Sequence, residues 1–232
     1  MNSIICQSSR VAVLASGGLE SAVLLEEMAR TGATVYPLYI QCGLRWEAEE
    51  MQALTRLVAL MSRDNVPEPV VLEQPVSDIY DDHWSVTGQG VPSATTPAAA
   101  VFLPGRNVLL LSKALLWCHM HDVPTIALGT LGSNPFPDAS VSFLNEFARV
   151  VNQSVGGSVT VRLPFVGVTK ADILRRGSRV LLDATMSCLQ PVGGRHCGAC
   201  NKCEERREAF RDAGIKDSTQ YRSSPGHPVG VS

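Results

Sequence analysis

Five short apolar runs, rich in β-branched residues, dictate what this chain can become: VAVLA at 11–15, VYPLYI at 35–40, PVVL at 69–72, TIAL at 125–128 and VTVRL at 159–163. Between them lie longer segments with helical spacing, near 21–31, 46–62, 106–121, 139–154 and 170–181, with a further one at 201–213. Runs of this length suit strands buried on both faces. Strand and helix in alternation imply parallel strands joined by crossover helices. The expected fold class is therefore α/β, a doubly wound, mostly parallel sheet covered on both sides. With 232 residues, 45% of them hydrophobic, a chain of this size buries roughly 70–75% of its unfolded surface around one core. A single domain over 1–221 is the expectation, with 222–232 (RSSPGHPVGVS) as a flexible tail.

Charge narrows the partners. Twenty basic residues stand against 22 acidic ones, net −2, which gives no electrostatic footprint for a nucleic-acid backbone or an anionic membrane. The most apolar stretch, VLLLSKALLWC, carries Lys113 in its middle, so no window reaches the length a membrane helix needs. The first residues lack the charged leader, apolar core and cleavage site of a signal peptide. A cytoplasmic protein acting on a small molecule is expected, with no nucleic acid and no membrane as partner.

In such sheets ligands sit beyond the carboxyl ends of the strands, which singles out three loops: 16–20, 129–138 and the long segment 74–104. The last is too polar and too rich in Gly and Pro to be read as core, and a connection of that length is uncommon unless functional or mobile. In the first loop, Ser16-Gly17-Gly18-Leu19-Glu20-Ser21 follows a strand and opens a helix. Backbone N–H groups and the helix dipole converge there on a place where an anion can bind. An ordinary strand-to-helix turn has the same pattern, and further motifs must decide between the two.

Cys188, Cys197, Cys200 and Cys203 supply four thiolates at spacings that suit tetrahedral zinc. An iron–sulfur cluster, or coincidence, are the alternatives. Four thiolates leave no open position, so a zinc ion there is structural. His196 adjoins the cluster and is the one residue able to replace a cysteine. Cys6, Cys42 and Cys118 read as small hydrophobes.

Three motifs carry a resemblance. SGGLES at 16–21 resembles the SGGxDS signature of pyrophosphatase-loop enzymes. Leu103-Pro104-Gly105-Arg106-Asn107-Val108 looks like the PGRN segment of the 7-cyano-7-deazaguanine synthases. The last sixty residues, from PFVGVTKADILRRG through HCGACNKCEERREAF, resemble that family's C-terminal part in order and spacing. The resemblance spans about 11–221. It implies a Rossmann-like fold of the adenine nucleotide alpha-hydrolase type with a C-terminal zinc-binding segment. It implies ATP with Mg²⁺ held by Ser16, Gly17, Gly18, Leu19, Glu20 and Ser21, with Lys170 on the same phosphates and Glu20, Lys170 and Arg106 as catalytic residues. Arg106, Asn107, Asn134 and Asp138 would face the substrate. The plainer alternatives are a solvated helix-start lysine at 170, an ordinary helix turn at 106–107, and a capped loop at 134–140.

The reaction so implied is a carbon–nitrogen ligation in queuosine-type deazapurine biosynthesis. ATP, a deazaguanine carboxylate (7-carboxy-7-deazaguanine) and ammonia give 7-cyano-7-deazaguanine through an adenylylated carboxylate, an amide and a second activation. A homodimer is compatible with the resemblance. Three departures stand out. Glu20 occupies an Asp position, Ser140 and Ser142 occupy Arg and Glu positions, and Trp46 stands where His is expected, either as a core aromatic or as a stacking platform. They keep open a related ATP-dependent ligase with another acid or amine, and a zinc-stabilised nucleotide-binding module without turnover.

Overall fold

A computed structural model describes residues 9–222. Strands β1 (Arg10–Leu14), β2 (Thr34–Gln41), β3 (Val70–Glu73), β4 (Thr125–Leu128) and β5 (Thr160–Arg162) pair in parallel throughout, in the order β3-β2-β1-β4-β5. This is the doubly wound, Rossmann-like architecture that the alternating runs predict. Among the described residues no helix is long and apolar enough to cross a membrane.

Alternation along β1 sets the two layers. Val11, Val13 and Ala15 face one core with helices α1 (Leu19–Arg30) and α2 (Glu47–Met61). Ala12 faces the other with Leu38, Ile126 and two later helices. Successive strand side chains point to opposite faces, so a five-residue strand serves both cores. Pro37 lies inside β2, where a missing N–H would break a ladder. Thr34 donates to Ser9 on the β1 side and Val35 to Asn65 on the other, so residue 37 faces the β3 side, and β3 pairing begins only at Leu38. The missing donor therefore costs no bond.

The long connection is the first correction. Segment 74–104 is neither structureless nor excluded from the core. It contains α3 (Ser77–Tyr80), α4 (Trp84–Thr87) and a 3-10 turn at Ala98–Val101. Val76, Val101 and Leu103 are buried with Ile40, Cys42, Trp46 and the cysteine segment in a third core above the strand ends. Its sparse apolar residues escape a composition average because they are spaced by polar turn residues that face solvent.

Helix α5 (Arg106–Met120) and helix α6 (Val141–Val155) cover the second face. The helix expected at 170–181 is two: α7 (Lys170–Arg176) and α8 (Arg179–Asp183). Gly177 turns extended between them, packed so closely that an added Cβ would lie 2.7 Å from Val23 Cγ2. Glu26 of α1 accepts from the Ser178 N–H at 3.1 Å, drawing the chain out of helix. The last helix, α9 (Asn201–Ala213), is locked down by Arg206, which is 1% exposed and whose guanidinium donates to the Leu182 carbonyl, Thr185 and Thr219. The expected tail, apart from Arg222, and Cys6 lie outside the described residues.

Candidate functional site

β1 delivers the chain to Ser16, and the turn that follows depends on Gly17. Its φ is +76°, and an added Cβ would lie 2.6 Å from the Glu50 carbonyl oxygen and 3.0 Å from Leu54 N, so the loop presses directly on α2. Gly18 caps α1 with no side chain to receive its first N–H groups, which have no carbonyl partner inside the helix. Ser21 ties the loop together, donating to the Gly18 carbonyl at 3.1 Å and accepting from Ser16 N at 3.3 Å. Leu19 is fully buried, so only its backbone is offered to a ligand.

Across the loop stands Lys170, the first residue of α7. Its neighbour Thr169 caps that helix by accepting from Asp172 N at 3.1 Å. Lys170 Nζ meets the Glu20 carboxylate at 2.8 Å and also Glu205, which is shared with Lys202. Burial works against the Lys170 charge, but Glu20 and Glu205 outweigh it and hold the ammonium above its ordinary range. Glu205 is raised by burial and lowered more by the two lysines, to about 2. Lys170 and Glu205 thus keep their charges across physiological pH.

One cavity of about 470 Å³ gathers these groups. Ser16, Gly18, Glu20, Ser21, Arg106, Asn107, Asn134 and Lys170 all line it. Arg106 opens α5 after Gly105 (φ +73°), an unfavourable place for a cation unless an anion comes to it, and its Nε is buried with no partner. Gly17, Leu19 and Asp138 do not line the cavity. Asp138 Oδ2 accepts from Asn107 N at 2.9 Å and braces the start of α5, while its other oxygen is buried without a partner. Ser140 and Ser142 are exposed and outside the lining, and Ser140 caps α6 by accepting from Phe143 N at 3.3 Å.

The cavity also takes residues that motif reading passed over: Tyr39, Glu50, Lys202 and Glu205. Tyr39 donates to Glu50 Oε2 at 3.1 Å. Burial pushes the Glu50 carboxyl up to about 7, opposed by Arg106, the Tyr39 hydroxyl and the Trp46 indole. Burial first, and then Glu50 and Glu47, hold Tyr39 above the ordinary phenol range. Glu47 is a clamp, accepting from the N–H groups of Cys42 and Gly43 at 2.7 and 2.8 Å. Trp46 is both core and wall, 3% exposed and stacked on Trp84 at 5.7 Å. A signal existed: Glu50 shares the helical stripe of the buried Ala53, Leu54 and Leu57, where a carboxylate needs a reason.

Beside this cavity the four cysteine sulfurs lie within 4.8 Å of one another, with Cys188 to Cys200 and Cys197 to Cys203 both at 3.9 Å. Sulfurs about 2.3 Å from a tetrahedral zinc ion would stand about 3.8 Å apart, so the set fits a metal ion of that kind. Backbone N–H groups of Gln190, Cys197 and Ala199 point at these sulfurs from 3.2 to 3.4 Å, which favours thiolate. His196 is turned away and accepts from Ser187 N at 3.2 Å. The knuckle also holds the 74–104 segment: Ser93 bridges Cys200, and Asn201 bonds the Pro92 and Thr96 carbonyls at 2.9 and 2.7 Å.

Residues 10–214 match the family described as "Queuosine biosynthesis protein QueC". The 7-cyano-7-deazaguanine synthase of Azoarcus sp. (strain BH72) is 33% identical over 92% of this chain and 97% of its own length. That of Methylobacillus flagellatus is 32% identical over 94% and 99%, and that of Aromatoleum aromaticum 32% over 93% and 99%.

Proposed function

The chain belongs to the QueC family of queuosine biosynthesis proteins, and from that premise we propose that it converts 7-carboxy-7-deazaguanine and ammonia into 7-cyano-7-deazaguanine at the expense of ATP. The observation that carries the reading is a single cavity shared by the Ser16–Ser21 loop, Lys170, Arg106 and Asn107. Its polar groups are placed for an anion: unbonded helix N–H groups at Gly18, a fixed ammonium, and an Arg106 Nε with nothing to donate to.

The chemistry follows from charge. A carboxylate oxygen leaves poorly, and attaching AMP to it makes it leave well, while charge accumulates on the released pyrophosphate. The first-turn N–H groups of α1 and Lys170 would offset that charge from positions already fixed by packing, the arrangement that contributes most to catalysis. Magnesium, when bound, supplies further neutralisation of the phosphates, and Glu20 is the carboxylate placed nearest the loop to meet it. Zinc fits the four sulfurs and leaves no ligand position vacant, so its role is to pin α9 and the 92–96 stretch beside the cavity.

The test is to incubate the zinc-loaded protein with ATP, Mg²⁺, ammonium and 7-carboxy-7-deazaguanine while following AMP, pyrophosphate and product mass. Amide or nitrile formed with stoichiometric AMP is the expected result. AMP released only when another carboxylic acid is offered would move the assignment to a related ligase, and no turnover despite ATP binding would leave a nucleotide-binding module.

A further inference from the structure

Turning ammonia into a nitrile nitrogen strips that atom of every proton: one as the amide forms, one as the amide oxygen takes AMP, one as AMP leaves. A site doing this needs a proton acceptor facing the amine. The cavity offers few. Glu20 is ion-paired to Lys170, and Glu205 to both Lys170 and Lys202. Cys188 belongs to the metal knuckle, and Tyr39 spends its hydroxyl hydrogen on Glu50.

Glu50 remains. Glu50 lines the cavity from α2, and its buried carboxyl forms no ion pair among the described residues. Its own carbonyl oxygen lies where a Cβ on Gly17 would clash, so the residue is anchored directly beneath the phosphate loop. Arg106 comes toward it from α5, Tyr39 and Cys42 from β2 and its end, and Glu47 from its own helix; the Glu20–Lys170 pair also lines the same cavity.

We propose that Glu50 is the proton acceptor for the amine. This rests on the ligase reading above. The ammonia lone pair makes the N–C bond to the acyl carbon, and the pair of the C–O bond to AMP departs with AMP. The proton shed by nitrogen moves to the Glu50 carboxylate, which returns it to water before the next step. Because the anion is the working form and burial places its titration near pH 7, the amide-forming rate at a fixed concentration of free NH3 rises as pH passes upward through that value.

The test compares wild type with Glu50→Gln, which keeps the shape and can still accept from Tyr39. Two rates are measured across pH 5.5–9: pyrophosphate–ATP exchange dependent on 7-carboxy-7-deazaguanine, reporting adenylylation, and amide appearance by mass. Exchange is expected within about threefold of wild type while amide formation falls by about 10²–10⁴-fold, and the limb near pH 7 disappears. Amide formation left within threefold, or exchange and amide lost in equal proportion, overturns the proposal. A wild type without acid-dependent exchange instead overturns the ligase reading and the proposal with it. Tyr39→Phe guards against a Gln variant that does not fold: losing the hydroxyl donor moves the limb to higher pH, and an unmoved limb counts against Glu50.

Discussion

The cysteine knuckle and the cavity floor beside it both crowd like-charged or charge-bearing groups, yet they are assembled in opposite ways. The knuckle takes all four ligands from one stretch, 188–203, and orients them with its own backbone N–H groups. The floor and wall take Tyr39 from β2, Glu50 from α2, Arg106 from α5, Lys170 from α7 and Glu205 from α9. The first can draw its cohesion from a bound ion. The second has only the rigidity of the elements that carry it, so its burial costs must be met by the three cores. A local site tolerates a distorted scaffold; a distributed one reports on it.

The largest effect should come from breaking the local site. Cys200→Ser removes one of four ligands, and structural zinc in small peptides contributes on the order of 10 kcal/mol, comparable with the whole stability of a domain. We expect loss of bound zinc together with a Tm drop of ten degrees or more. Zinc content and Tm both unchanged would show that the knuckle stands without metal.

Gly17→Ala asks whether the loop and the floor are one rigid body. A left-handed alanine costs about 1–3 kcal/mol, and the added methyl pushes on the Glu50 carbonyl. Tm should fall by several degrees and ATP binding should weaken at the same time. A shift in Tm with ATP affinity preserved would separate the two.

Glu20→Asp should be the gentlest. The shorter side chain loosens the 2.8 Å contact to Lys170, but the carboxylate is kept and Glu205 still holds the ammonium, so ATP affinity should stay within about fivefold in a titration. Abolished binding would mean the wall is built around the longer side chain.

The same contrast explains what was legible before the fold was known. Strand order aside, all five strands could be read from their apolar runs: the inner strands β1, β2 and β4 are largely buried, and the half-exposed edge strands β3 and β5 still keep β-branched residues among their polar ones. The cysteines could be read because their chemistry lies within one short segment. Glu50 was passed over, although it sits on the apolar stripe of α2 with Leu54, because nothing local says what a carboxylate at that position faces. Asp138 was marked as a substrate residue, and the fold gives it a brace on Asn107 N instead of a place in the lining. The break at Gly177 was hidden for a similar reason: the pull on Ser178 comes from Glu26, far away in sequence.

The cavity's dependence on the end of the chain sets the order in which its parts can come into being. Ser16–Ser21 leave the ribosome well before Lys170, Lys202 and Glu205. At 5–20 residues per second the loop waits on the order of 10 s for the groups that close it. A chain halted before α7 therefore carries the Ser16–Ser21 loop with no lysine across from it, and one halted before α9 still lacks Lys202 and Glu205.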